Sequence, residues 1–513
     1  MKNFILLLTG CVLIGLLPRM GSAQNRIIVN ADQGAYTISR DIYGQFAEHL
    51  GHGIYGGIWV GQNDSIPNTR GIRNDVVEAL KKIRVPVIRW PGGCFADTYH
   101  WKDGIGPRDK RPEIVNVNWG NVTENNAFGT HEFLDLCKQL GAEPYIVGNV
   151  GSGTVQEMSD WVNYLNFNGV SPMTELRKQN GRDQPWGVKF WGVGNENWGC
   201  GGNMTPEYYA NVFRRFATFL HNYPGASLYR IACGPNSDDY HWTEVLMKNA
   251  GNMMQGLSLH YYSILNWAKK GSATTFDEAQ YAEIMQKTLH LKPMIERHEA
   301  IMDQYDPGKR VGLIVDEWGG WYDVEPGTNP AFLYQQNTMR DALLAATALN
   351  IFNNHCDRIK MANIAQMVNV LQAMILTHGK QMIVTPTYYV YQMYMVHHDA
   401  TMLPTQVSSE TYTCQQFKMA ALNASASRDS SGIMHITISN LDPHHALEVP
   451  VAIRGTRVGK VTGEVLTADA LQAHNTFQRP GNVKPVTFSD FQVKGDQISV
   501  HMPAASVVVL RVM

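Results

Sequence analysis

The sequence predicts an α/β chain: a (β/α)8 TIM barrel followed by a C-terminal β-sandwich, jelly-roll-like in its pattern. Three observations point there. From about residue 41 to residue 395, short apolar, β-branched runs alternate with longer stretches of helical spacing, as in βα units around a parallel sheet. Eight such runs can be counted, the number that closes a barrel. Beyond about residue 400 the helical spacing gives way to period-two alternation, the mark of sheets packed face to face. A large barrel with one modest companion also accounts for 513 residues.

Taken in order, residues 1–23 open with Lys2, run through the apolar stretch Phe4 to Leu17 and reach Gly21-Ser22-Ala23, which reads as a signal peptide. Export to the periplasm or the exterior is therefore expected. Leu8-Thr9-Gly10-Cys11 resembles a lipobox, so lipid anchoring through Cys11 is a competing reading. No later stretch approaches the roughly 20 apolar residues that span a bilayer. Residues 24–40 contain a β-rich segment, Arg26 to Ile38, outside the barrel count, and it is expected to return and pair with the C-terminal domain.

The barrel, residues 41–395, draws its strands from Ile42 to Leu50, Val87 to Gly93, Pro144 to Val150, Lys189 to Glu196, Tyr229 to Asn236, Gly256 to Tyr262, Val311 to Gly319 and Met361 to Asn369. Intervening helices carry end signals: Asn74 and Thr130 as caps, Gly141 as a stop, and Thr205-Pro206-Glu207 as a start. Residues 396–513 form the sandwich, with alternation at Ile433 to Leu441, Val449 to Ile453, Val486 to Phe488 and Ser506 to Val512. No low-complexity linker separates the parts, so they are expected to pack tightly.

Composition narrows the partner. Lys plus Arg number 43 against 45 Asp plus Glu, and a net charge of -2 leaves no electrostatic footprint for nucleic acid or an anionic membrane. An uncharged partner is expected. Cys94, Cys137, Cys200, Cys233, Cys356 and Cys414 are scattered, imply no zinc site and reveal no disulfide pairing by their spacing. His49, His52 and His260 lack the spacing of metal ligands, and Gly92-Gly93 and Gly201-Gly202 lack the Lys-Ser/Thr of a phosphate loop.

Barrel enzymes place working groups at the C-terminal ends of their strands. Here those ends read Phe46-Ala47-Glu48-His49, Arg89-Trp90-Pro91-Gly92-Gly93-Cys94, Gly148-Asn149, Gly194-Asn195-Glu196-Asn197-Trp198, His260-Tyr261-Tyr262, Asp316-Glu317-Trp318 and Asn363-Ile364-Ala365-Gln366. The carboxylates on strands four and seven project into one mouth. Such a pair suits glycoside hydrolysis, in which one carboxyl donates a proton to the departing oxygen while an ionised partner attacks the anomeric carbon. The donor is the carboxyl whose surroundings raise its pKa, and spacing alone does not say which it is.

Gly192-Val193-Gly194-Asn195-Glu196-Asn197-Trp198 with Val315-Asp316-Glu317-Trp318-Gly319 resembles the α-L-arabinofuranosidases of glycoside hydrolase family 51. The likeness extends to Ile42 to Gly51, Arg89 to Gly93 and Asn363 to Asn369, collinear with the family over nearly the whole sequence. The resemblance implies that Glu196 is the general acid/base and Glu317 the nucleophile, with Asn195 hydrogen-bonding a ring hydroxyl. It implies that Glu48, Cys94, Tyr262 and Gln366 line the furanose pocket, that Arg89 and His260 support the carboxylates, and that the chain forms a homo-oligomer. No cofactor and no metal are expected.

Rival readings are an endo-acting or xylosidic glycosidase on the same barrel and a catalytically silent carbohydrate-binding protein. An open cleft would favour endo action. Retention of both Glu196 and Glu317 argues against the silent protein. A simple buried salt bridge between Glu48 and His49 is the plainer alternative to substrate contact, and Trp101, Trp198, Trp318 and Trp321 serve either the sugar or the core.

Overall fold

The computed structural model describes residues 25–513, so the leader expected over residues 1–23 lies outside the described residues. Strands Gly44–Phe46, Val87–Trp90, Glu143–Gly148, Phe190–Val193, Tyr229–Ala232, Gly256–Ser263, Gly312–Gly320 and Ile359–Ile364 form a closed barrel in chain order. Every neighbouring pair is parallel. Its interior is filled by Val87, Tyr145, Val147, Phe190, Ile231, Ile314 and Met361, all buried. Burying each aliphatic side chain of this kind contributes about 1.5–3 kcal/mol.

Two of the predicted caps are displaced by one residue. Asn74 and Thr130 are the first helical residues of Asn74–Lys82 and Thr130–Leu140, not the caps before them. Asn74 spends its side-chain oxygen on the Thr69 hydroxyl, and the Glu132 carboxylate instead accepts the Gly129 N–H, 3.0 Å away. Thr205 does cap Pro206–Phe219, its hydroxyl accepting the Tyr208 N–H.

The C-terminal part is two sheets. One has the order Thr405–Ser408, Arg26–Asn30, Leu447–Arg454, Gln497–Met502, Phe491–Lys494. The other runs Thr401–Leu403, Leu422–Arg428, Met434–Asn440, Ser506–Val512, Val461–Leu466, Val486–Phe488. The segment Arg26–Asn30 lies inside the first sheet, parallel to Leu447–Arg454 and antiparallel to Thr405–Ser408. Gln497–Met502 alternates exposed and buried as a half-covered strand should. Met434–Asn440 does not alternate, because helix Met339–Asn354 of the barrel covers its second face and leaves all seven residues buried.

That helix is itself buried along almost its whole length. Its Asn350 side-chain oxygen accepts hydrogen bonds from Ser425 Oγ at 2.8 Å and Thr437 Oγ1 at 2.7 Å. His397 completes this neutral seam, with ring nitrogens 2.7 Å from Ser427 Oγ and 3.1 Å from Thr437 Oγ1. Each such bond contributes about 1 kcal/mol net, and the groups would be costly to bury unpaired. A hairpin of the C-terminal part, Thr411–Cys414 with Phe417–Ala420, leans onto the barrel, where Tyr412 OH donates to Glu278 at 2.8 Å.

Candidate active site

A cavity of about 920 Å³ opens at the C-terminal ends of the barrel strands, and its wall includes Lys418 and Met419 from that hairpin. Glu48, Cys94, Glu196, His260, Tyr262, Glu317 and Gln366 all reach it. Arg89 and Asn195 do not. They lie in the layer below with Tyr145 and Asp316.

That layer follows from strand geometry. Alternate residues of a strand share a face, so Arg89 points inward two residues after Val87, and Asp316 two residues after Ile314. Glu317 should then point outward. It does not, because the pairing of strands six and seven slips between Ser258 and His260, setting His260 opposite Glu317, and the pairing of strands seven and eight slips at the same place. A bulge of this kind re-aims a side chain beside a site. Consecutive acids thereby both serve the mouth.

The charges interlock. Arg89 Nη1 donates to Glu317 Oε1 at 2.8 Å, its Nη2 donates to Asn195 Oδ1, and its Nε lies 3.5 Å from Asp316. Tyr262 OH donates to Glu317 Oε2 at 2.9 Å. His260 bridges three carboxylates, with Nε2 3.2 Å from Asp316 and Nδ1 2.9 Å from Glu196 and 3.6 Å from Glu317. Tyr145 OH donates to Asp316 at 2.7 Å. Burial alone would push the His260 imidazole down, but the Glu317 charge and the hydrogen bonds to Asp316 and Glu196 outweigh it and hold it up at about 10. Burial likewise opposes the Asp316 charge, and Arg89 and His260 overcome it, holding this carboxyl below its usual value.

Glu196 is different. Burial raises its pKa, the neighbouring Glu317 charge adds to the rise, and the His260 contact only partly offsets them. It sits just past strand four at φ 42°, a left-handed conformation that costs an L-residue on the order of 1–2 kcal/mol and is held by its surroundings. Oxygen atoms of Glu196 and Glu317 approach within 4.8 Å of each other and of a His260 ring nitrogen. The positive charge offered to them comes from Arg89 and His260.

The glycines of Pro91-Gly92-Gly93 are there for space. A Cβ on Gly93 would lie 2.6 Å from Glu317 Oε1, and one on Gly92 2.7 Å from Glu48 Cγ. Glu48 accepts the N–H groups of Gly93 at 2.9 Å and Phe95 at 3.1 Å, and Gln366 Nε2 donates to its other oxygen at 3.0 Å. Burial, then the Glu317 charge, push Glu48 up to about 7. Its neighbour His49 turns away, 3.6 Å from Glu124, so the two do not form the plain salt bridge.

Three buried groups were given no role from the sequence: Asp316, Tyr145 and Asp97. The first two were discoverable from the inward alternation with Ile314 and Val147. Asp97 accepts the N–H groups of Val150 at 2.6 Å, Gly151 at 2.8 Å and Asn195 at 2.9 Å, tying together the loops after strands two, three and four. Burial pushes it up to about 7. Nothing in its sequence neighbourhood signals this.

Two of the expected pocket residues have protein partners that their spacing did not reveal. Cys94 is bonded to Cys200 in a disulfide, 106 residues away in sequence, so it walls the cavity as half of a cross-link between the loops after strands two and four. Asn195 spends its amide oxygen on Arg89, and its nitrogen reaches the Cys200 sulfur at 3.9 Å. Among the tryptophans, Trp198 and Trp321 line the cavity, whereas Trp101 and Trp318 are core.

Comparison with known proteins fits this geometry. The model of the α-L-arabinofuranosidase 1 domain matches residues 79–281, and that of the α-L-arabinofuranosidase C-terminal domain matches residues 316–506. An intracellular exo-α-L-arabinofuranosidase of Bacteroides ovatus is 52% identical over 94% of this chain and 95% of its own. The chain belongs to glycoside hydrolase family 51. Among solved family 51 structures, the arabinofuranosidase of Xanthomonas axonopodis pv. citri is 49% identical with a TM-score of 0.94, covering 96% of this chain and 100% of its own. The arabinose complex of the Thermotoga maritima α-L-arabinofuranosidase is 31% identical with a TM-score of 0.84, over the same shares.

The export expected from the N-terminus, and with it the lipid anchor at Cys11, is not supported: this family 51 chain aligns over nearly its full length with a relative named as intracellular. Among the described residues no helix is long and apolar enough to cross a membrane.

Proposed function

We propose that this family 51 chain is an exo-acting, retaining α-L-arabinofuranosidase that releases terminal arabinofuranosyl groups from plant polysaccharides or their fragments. The observation that carries the reading is a pair of carboxyls whose nearer oxygens lie within 4.8 Å of each other, too close to leave room for an inverting water, and whose surroundings are unequal. Retaining glycosidases hold their carboxyls about 5–5.5 Å apart, whereas inverting ones leave about 6.5–9.5 Å for a water. The names of the relatives support the sugar and the exo action.

In this mechanism Glu196, its pKa raised by burial and the Glu317 charge, gives its proton to the departing glycosidic oxygen. Glu317, oriented by Arg89 and Tyr262, attacks the anomeric carbon and forms a covalent glycosyl ester. Glu196, now ionised, takes a proton from water, which cleaves the ester from the face the leaving group vacated. Glu48 and Gln366 supply acceptors and donors to the ring hydroxyls from the closed side of the cavity.

The test is release of 4-nitrophenol from its α-L-arabinofuranoside. Glu317→Ala is expected to lose about 10⁴-fold or more in kcat, with azide restoring turnover as the inverted glycosyl azide. Glu196→Ala should give the retained azide instead. An inert wild type that cleaves a xyloside would overturn the sugar assignment. The resemblance also implies a homo-oligomer, which light scattering after gel filtration measures.

A further inference from the structure

The Cys94–Cys200 disulfide stands beside Glu196. Cys200 is exposed and Cys94 half-buried on the cavity wall, so solvent reaches both. Glu196 Oε2 lies 3.6 Å from Cys200 Sγ. A disulfide sulfur carries no proton, so this is packing and not a hydrogen bond. One donor atom each from Cys94, Glu196 and Cys200 falls within 4.8 Å of the other two. With the S–S bond opened, two thiolate sulfurs and a carboxylate oxygen would supply three ligands of the tetrahedron that soft divalent ions adopt, with metal–sulfur bonds of about 2.3 Å and metal–oxygen bonds of about 2.0–2.2 Å. Only the S–S bond closes the site.

We propose that Cys94 and Cys200, once reduced, form with Glu196 a binding site for Zn²⁺ or Cd²⁺, and that the bound ion silences the enzyme by capturing its proton donor. The silencing rests on the assignment of Glu196 as acid/base. The disulfide thus keeps the catalytic carboxyl free of metal. Reduction by a phosphine breaks the S–S bond: phosphorus attacks one sulfur, water delivers oxygen to the phosphine oxide, and its two protons end on the two thiols. Metal binding then displaces both thiol protons, forming two metal–thiolate bonds and one metal–carboxylate bond. Cα atoms 5.6 Å apart leave room for the sulfurs to swing from bonding distance to about 3.8 Å, the separation two sulfur ligands take around one zinc, by rotation about χ1.

The experiment uses the whole protein, oxidised or reduced with a phosphine and freed of reductant without air. Cd²⁺ titration should give a thiolate charge-transfer band saturating at one ion per chain in the reduced enzyme and none in the oxidised one. One equivalent of Zn²⁺ should lower arabinofuranoside turnover of the reduced enzyme at least tenfold, with full recovery on adding a chelator, and leave the oxidised enzyme unchanged. Reduced Cys200→Ala and Cys94→Ala should each lose the band and the Zn²⁺ response, judged against their own metal-free rates. An absent band, a band that survives in both variants, or equal Zn²⁺ inhibition of oxidised and reduced enzyme overturns the proposal. A full band with unchanged turnover overturns the silencing, and Glu196→Ala in the same assay then decides separately whether Glu196 is the proton donor.

Discussion

Two histidines with equally buried rings sit at opposite ends of the ionisation scale. At the barrel mouth His260 is held up at about 10 by the carboxylates of Glu317, Asp316 and Glu196. At the seam between barrel and sandwich His397 is driven well below its usual value by burial, among hydroxyls and amides that carry no charge. Burial is the same in both places, so the neighbours decide. A dense ionic layer is a poor way to stabilise a barrel, because desolvation consumes most of its Coulombic gain. Its presence at the mouth and absence from the seam separates the region organised for chemistry from the region organised for docking.

Crowding the charged region gives the largest expected effect. Gly93→Ala places a methyl group 2.6 Å from Glu317 Oε1, and displacing a reacting group by about 1 Å costs about 10²-fold. We expect that loss in kcat with a melting temperature close to wild type; an equal fall in both would make Gly93 a structural residue only. Next, His260→Asn removes an imidazolium that lowers the Glu196 pKa by hydrogen bond and charge. The donor stays protonated to higher pH, so the alkaline limb of kcat/KM should move upward. A downward move would show that His260 does not act on Glu196 in this way.

The smallest effect lies at the seam. The folded pKa of His397 is depressed, so the unfolded chain takes up its proton first, near pH 6.5, and the contribution to stability, fully present above that pH, is lost as pH falls below it. Denaturation at stepped pH should show wild type losing up to about 1.4 kcal/mol per pH unit more than His397→Asn below pH 6.5. Parallel curves for the two proteins would mean that His397 is charged in the folded state and the contrast with His260 is false.

Much of this was legible in the sequence. Most of the barrel strands, buried on both faces, read as apolar runs, broken near their starts by Arg230 and Lys360 and most densely by polar residues where they reach the mouth. Glu196 and Glu317 stand out for that reason. Alternation from Ile314 sends Asp316 inward and would send Glu317 outward, so what the sequence hid is the bulge that lets both acids serve one site. Asp97 acts through backbone N–H groups of three loops, which leave no side-chain pattern. The cross-link at Cys94 depends on two loops meeting above the barrel, and Met434–Asn440 loses its alternation only because a helix from elsewhere in the chain covers it.

Synthesis runs in one direction, and the strand Arg26–Asn30 must wait for it. Its parallel neighbour Leu447–Arg454 emerges from the ribosome only after the whole barrel has been made. Until then an apolar strand with two open edges is carried at the front of the nascent chain, a natural target for holding chaperones. Conversely, a fragment restricted to residues 396–513 would lack the strand between Thr405–Ser408 and Leu447–Arg454. Such a fragment should aggregate when expressed alone and be rescued by supplying the missing strand as a peptide.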